Sequence, residues 1–140
     1  MKSLSIGALS ELAGVKVPTI RYYEGIGLLA RPPRTASNRR TYEAEDVRKL
    51  RFIRHARDLG FEVEAIRQLL DLASDPTRPC DEADAIAQRH LADINEKIAR
   101  LSALKIEVTR MIDNCAHGSI GECRVIEVLA DHGLCKSDRH

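Results

Sequence analysis

Between Asp81 and Ile112 the chain carries neither proline nor glycine, and so long a run without a breaker predicts one continuous helix. Along it Ala87, Leu91, Ile94, Ile98, Leu101, Val108 and Ile112 follow one another in steps of 4, 3, 4, 3, 7 and 4, the skipped position being Lys105 with Leu104 beside it. That alternation reads as a coiled-coil seam, flanked by Gln88, Arg89, Glu96, Lys97 and Arg100. A helix of roughly 45 Å is too long for the rest of a small chain to cover. A second copy is the economical partner, so the pattern predicts a homodimer. The seam by itself fits parallel and antiparallel pairing equally.

The residues before this helix are also mostly helical. Ile6, Leu9 and Leu12 recur at helical spacing, with Ser5 as N-cap and Gly14 as the stop. Pro18 sits where a first helical turn tolerates it, and Thr19-Ile20-Arg21-Tyr22-Tyr23-Glu24 follows before Gly25 and Gly27. Two short helices joined by a glycine-containing turn make a helix-turn-helix candidate. Prolines 32 and 33 forbid a helix between Leu29 and Thr41, and Ser37-Asn38 favours a tight turn, so a basic hairpin or wing is expected. A third helix is expected from about Ala44 to Leu59, with Val47, Leu50, Phe52, Ile53 and Ala56 as its buried stripe and Gly60 as its end. A fourth begins after Phe61, carries Val63, Ile66, Leu69 and Leu70, and gives way to Ser74-Asp75-Pro76-Thr77-Arg78-Pro79, the clearest boundary in the chain.

The formal charge of the 140 residues is only +1, yet it is unevenly spread. Residues 1–57 hold 12 Lys and Arg against 5 Asp and Glu, or +7, and the remainder sums to −6. A basic front half on an acidic rear half is the footprint of a nucleic-acid-binding head on a sensing tail. No apolar run approaches a membrane span, and the start of the chain lacks the apolar core of a signal peptide, so a cytoplasmic protein with reduced thiols is expected.

On the second short helix, Thr19, Arg21, Tyr22 and Tyr23 are the candidates for DNA contact. Arg grips guanine or phosphate, Thr and Tyr hydroxyls bond phosphates, and one Tyr ring of the pair could pack inward instead. Arg31, Arg34, Arg39, Arg40 and Tyr42 of the wing would lie along the flanking backbone.

Cys80 stands just before the long helix, and Cys115 and Cys123 flank the loop just after it. No CxxC pair suggests a redox dithiol. Cys80 and Cys115 lie at opposite ends of a predicted rod and cannot share an ion within one chain. If two such helices pair antiparallel, Cys80 of one chain meets Cys115 and Cys123 of the other. Thiolates select soft or borderline ions such as Zn(II), Cd(II), Pb(II), Hg(II) or Cu(I). Three would suit a divalent ion, with His117, His132, Cys135 or water as a fourth ligand. A two-coordinate Cu(I) site would need two sulfurs. His55 and His90 read as surface or packing residues and His140 as a terminal one.

Ile6-Gly7-Ala8-Leu9-Ser10-Glu11-Leu12-Ala13-Gly14-Val15, Thr19-Ile20-Arg21-Tyr22-Tyr23-Glu24, Gly27-Leu28-Leu29 and Asn38-Arg39-Arg40-Thr41-Tyr42 together resemble the head of MerR-family transcriptional regulators, and the resemblance runs from about residue 4 to residue 130. It implies a mainly all-α fold: a winged helix-turn-helix DNA-binding domain at 1–75, a long antiparallel coiled-coil dimerisation helix at 80–114, and a metal-binding loop, short helix and tail at 115–140. It also implies that the dimer sits in an overlong promoter spacer and distorts the DNA so that RNA polymerase engages both promoter elements. Cysteine at position 80 resembles the zinc, cadmium, lead and mercury sensors, whereas the seven residues between Cys115 and Cys123 resemble the spacing of copper sensors.

The expected function is a metal-responsive regulator of a metal resistance or efflux promoter, an activator when metal-bound, with a divalent ion as effector. A Cu(I)/Ag(I), redox or organic-ligand regulator is the rival within the family, and a zinc-bearing adaptor the rival outside it. Against an enzyme, no nucleophile and base stand at a motif-like spacing and no glycine-rich phosphate loop is present.

Overall fold

A computed structural model describes residues 3–37, 40–115 and 118–131, and among these the secondary structure is helical, with no strand beyond isolated bridges. Asn38, Arg39, His117, His132, Cys135 and His140 lie outside the described residues. Two compact units divide at Ile86/Ala87, inside the long helix rather than in the proline-bearing stretch before it.

The first unit is built from four helices: α1 (Ile6–Ala13), α2 (Val17–Gly25), α3 (Ala44–Asp58) and α4 (Val63–Ala73). Ser5 starts α1 by accepting the Ala8 N–H on its Oγ at 3.1 Å, and Gly14 ends it at φ +70°, donating to the Ser10 carbonyl at 2.9 Å. Pro18 lies in the first turn of α2, where no intrahelical donor is lost. Gly25 remains helical and Gly27, at φ +78°, makes the exit turn. A reciprocal capping box between Glu43 and Asp46 opens α3.

Leu9, Ile20, Leu29, Tyr42, Leu50, Ile53 and Ile66 are fully buried in one core drawn from all four helices and the segment between α2 and α3. Burying such side chains contributes about 1.5–3 kcal/mol each. Phe52 departs from the predicted stripe: it is 38% exposed, because one residue before Ile53 turns the side chain about 100° off the core-facing line. On α4 only Ile66 is fully enclosed, with Val63, Leu69 and Leu70 half-buried.

Between α2 and α3 the chain doubles back, with antiparallel bridges Arg34–Arg40 and Leu4–Tyr42. Leu4 and Tyr42 exchange backbone hydrogen bonds at 2.7 and 2.8 Å, tying the start of the chain to the return arm of the hairpin. This is the predicted wing.

The first turn of the long helix α5 (Asp81–Asp113) belongs to the first unit. Arg78 donates to Asp71 of α4 at 3.2 Å and to both carboxylate oxygens of Glu82 at 3.0 Å, spanning the joint between the helices. The second unit comprises the rest of α5, a 3₁₀ turn (Ile120–Glu122) and α6 (Arg124–Ala130). There Val128 is buried, and so is Glu107, which pairs with Arg110 at 3.6 Å. Leu91, Ile94, Ile98, Leu101, Val108 and Ile112 are all exposed, so the chain itself leaves this apolar stripe uncovered. Among the described residues no helix is long and apolar enough to cross a membrane.

Gly14 supports a direct test. A Cβ there would run into the Arg54 guanidinium, and the left-handed backbone is strained for any L side chain. Gly14→Ala is expected to lower unfolding free energy by about 1–2 kcal/mol. Urea denaturation of both proteins checks this, and an unchanged midpoint would refute it.

Candidate nucleic-acid interface and thiolate site

The DNA-facing candidates fall on α2 and the wing. One face of α2 meets the core and the other meets solvent: Ile20, Tyr23 and Glu24 point inward, while Arg21 and Tyr22 are exposed and Thr19 is half-buried. Arg21 and Tyr22 thus form an open polar face. Arg31 and Arg34 are exposed at the start of the wing.

Two predicted contacts are corrected. Tyr23 is 8% exposed and packs in the core, its ring centroid 5.9 Å from that of Tyr22. Tyr42 is completely buried and donates its hydroxyl to Glu24 Oε2 at 3.1 Å. Both side chains sit on the inner side of their segments, and the Tyr42 hydroxyl is already engaged by Glu24. Burial, followed by the neighbouring Glu24 carboxylate, pushes the Tyr42 phenol above its ordinary range, keeping it a neutral donor. Arg40 is described too: its Nη1 lies 2.7 Å from Glu24 Oε1.

Glu24 is therefore a residue that the sequence reading passed over. So are two arginines that hold helix ends. Arg51 of α3 donates from Nη2 to the Leu12 carbonyl in the last turn of α1 at 2.9 Å. Arg67 of α4 donates from Nη2 to the Ile26 carbonyl just past α2 at 2.8 Å. Cations at carbonyl ends offset the helix dipole and satisfy orphan acceptors.

At the far end of α5, Cys115 follows the helix directly, its N–H donating to the Ile112 carbonyl at 3.1 Å. Cys123 is the N-cap residue of α6, placed there by the 3₁₀ turn, with its own N–H on the Ile120 carbonyl at 3.1 Å. Both are free, half-buried thiols. The backbone N–H groups of Ile126 and Val125, with a smaller contribution from the Cys115 thiol, hold the Cys123 thiol below the ordinary cysteine range. Cys80 is exposed and belongs to the first unit, at the start of α5, its carbonyl accepting the Asp84 N–H at 2.9 Å. Among the described residues no three His, Cys, Asp or Glu side chains converge to hold a metal ion.

The donor chemistry nonetheless suits one. Two half-buried thiols, one biased toward thiolate, are the donor type that soft or borderline cations select. His55 is exposed on α3 and His90 half-buried on α5.

Residues 4–73 match the family described as MerR HTH family regulatory protein, and residues 47–111 the one described as MerR, DNA binding. The HTH-type transcriptional regulator HmrR of Sinorhizobium medicae is 42% identical over 130 residues, 93% of this chain and 88% of that protein. Heavy metal-dependent transcription regulator 2 of Rhizobium meliloti is 40% identical over 128 residues, 91% of this chain and 87% of its own length. Among solved structures, the transcription regulator PbrR691 of Ralstonia metallidurans in complex with lead(II) superposes with a TM-score of 0.81 at 34% identity, covering 90% of this chain and 98% of that one.

Proposed function

Because the chain belongs to the MerR family of helix-turn-helix regulatory proteins, we propose that it is a metal-responsive transcriptional regulator that binds promoter DNA as a homodimer and senses a divalent soft or borderline ion: zinc, cadmium, lead or mercury. The observation that carries this reading is the placement of two free, half-buried thiols, Cys115 at the end of α5 and Cys123 at the N-cap of α6, in a chain that also bears a basic helix-turn-helix.

Arg21, Tyr22 and Thr19 read the DNA groove or its edge, and Arg31, with Arg39 beyond the described residues, follows the flanking phosphates. Two heads related by a two-fold axis require two related half-sites. In functional terms residues 1–75 bind DNA, 80–114 dimerise and 115–140 sense.

Cys80 of one subunit completes the pair Cys115 and Cys123 of the other. The bound ion would join thiolates from both subunits, and His117, His132 or Cys135 could supply a fourth donor. Cys80 sits at the first turn of α5, one joint away from α4, so drawing its sulfur toward the partner's loop shifts the heads. If that arrangement also favours a bent and untwisted promoter, occupancy becomes a population shift toward a duplex on which RNA polymerase engages both promoter elements. The protein works in the cytoplasm, where its thiols stay reduced.

Transcription from the cognate promoter, reconstituted with the purified dimer and a panel of ions, tests the proposal. A rise of about 5- to 150-fold with a zinc-group ion is expected. A response to peroxide or organic ligands and to no ion would overturn it. One observation favours a second reading: Cys115 and Cys123 are separated by seven residues, and two sulfurs would suffice for Cu(I) or Ag(I). Under that reading the response survives Cys80→Ser, and under the first it is lost.

A further inference from the structure

Glu24 is the most deeply buried charged side chain of the first unit's ion pairs, with 1% of its side chain exposed. Both of its oxygens are taken by one short segment: Oε1 by Arg40 Nη1 at 2.7 Å and Oε2 by the Tyr42 hydroxyl at 3.1 Å. That segment is the return arm of the wing, itself paired with Arg34 on one side and, through Tyr42, with Leu4 on the other. The carboxylate stands on α2, three and two residues past Arg21 and Tyr22, the exposed pair of the recognition face. A carboxylate this enclosed is costly to leave unpaired. The wing therefore cannot slide along α2 without stranding it.

Resting on the DNA-binding reading above, we propose that Glu24 is a positioning residue for DNA recognition: it locks the register of the wing to the recognition helix, and Arg40 acts on DNA through Glu24 rather than by gripping a phosphate. The alternative role for Arg40 makes a different electrostatic claim. A cation that neutralises a phosphate releases counterions and steepens the salt dependence of binding, whereas one already neutralised by a buried carboxylate does not. Register matters because phosphate contacts from the wing and groove contacts from α2 must be made together on one rigid duplex.

The experiment uses the full-length dimer and a duplex that the wild-type protein itself selects from a random-sequence pool. Affinity is measured across a range of KCl concentrations for Glu24→Gln, Arg40→Gln, the double variant and Tyr42→Phe, with hydroxyl-radical footprints of each. Glu24→Gln and Arg40→Gln are each expected to weaken binding by roughly tenfold with the wild-type salt slope. The double variant should be no weaker than the poorer single. Protections outside the groove-binding core of each half-site should disappear in Glu24→Gln, although Glu24 itself touches no DNA. If Arg40→Gln instead lowers the slope by about 1 and its loss persists undiminished when combined with Glu24→Gln, the proposal is overturned. Should Glu24→Gln fail to fold, Tyr42→Phe decides, since it keeps the ion pair and the ring: the same loss of outer protections supports the proposal, and wild-type affinity and footprint overturn it. Failure of the wild-type protein to select any sequence would overturn the DNA-binding reading itself, and this inference with it.

Discussion

A heterodimer assembled from a Cys80→Ser subunit and a Cys115→Ser/Cys123→Ser subunit should bind one metal ion where the wild-type dimer binds two. In the cross-subunit arrangement each ion takes Cys80 from one chain and the loop sulfurs from the other. One site in the mixed dimer then has all three thiols and the other has none. The two parental homodimers behave differently: one keeps two sulfurs per site and the other a single sulfur, and both should lose affinity by more than about 100-fold, since even ligand-orienting neighbours are worth 10- to 100-fold. Differently tagged subunits allow the mixed species to be purified, and competition against a chromophoric chelator gives stoichiometry and affinity together. A mixed dimer with no tight site would refute sharing across the interface. The pair substitution is the more damaging half of the test because it removes two of the three sulfurs.

The second large effect is expected on the seam. Ile98 is 55% exposed on α5 and Leu101 64%, both within the apolar repeat. Ile98→Glu would place two carboxylates, one from each chain, in an apolar interface, where an unpaired charge is strongly disfavoured. Sedimentation equilibrium should show a monomer at concentrations where the wild-type chain is dimeric. Affinity for a two-half-site duplex should fall by about 10²- to 10⁴-fold, because the second head no longer benefits from being tethered to the first. The fold of the first unit should be retained, since none of its core residues lies on the seam. A dimer of undiminished stability would remove this seam as the association surface.

Local rules carried most of the helical reading. Ser5, Gly14 and Pro18 act within one or two turns of themselves, and the bounds of α1 and α2 follow from them. The long helix was legible because no proline or glycine interrupts it. What sequence could not supply were choices between two faces one residue apart. Phe52 and Ile53 are both large and apolar, and only the packing of α1 against α3 decides which is enclosed. Tyr23 and Tyr42 looked like contact residues because tyrosine is amphipathic; for Tyr42, burial depends on Glu24, eighteen residues earlier and sixteen before Arg40. Arg51 and Arg67 reach carbonyls 39 and 41 residues away, which no periodicity announces. For the proposed thiolate site, Cys115 and Cys123 were legible as the two ends of one short loop, whereas the role proposed for Cys80 depends on a second chain.

The arginines at the ends of α1 and α2 bear on how the head opens. In an isolated helix the last turn frays first, because its carbonyls have only water to lose. Here the Leu12 and Ile26 carbonyls are held by guanidinium groups rooted in α3 and α4. Neither short helix can unwind from its exit end without also breaking its tie to the scaffold. Both short helices therefore share the opening free energy of the scaffold, and the recognition surface proposed on α2 is preformed rather than one that orders on arrival.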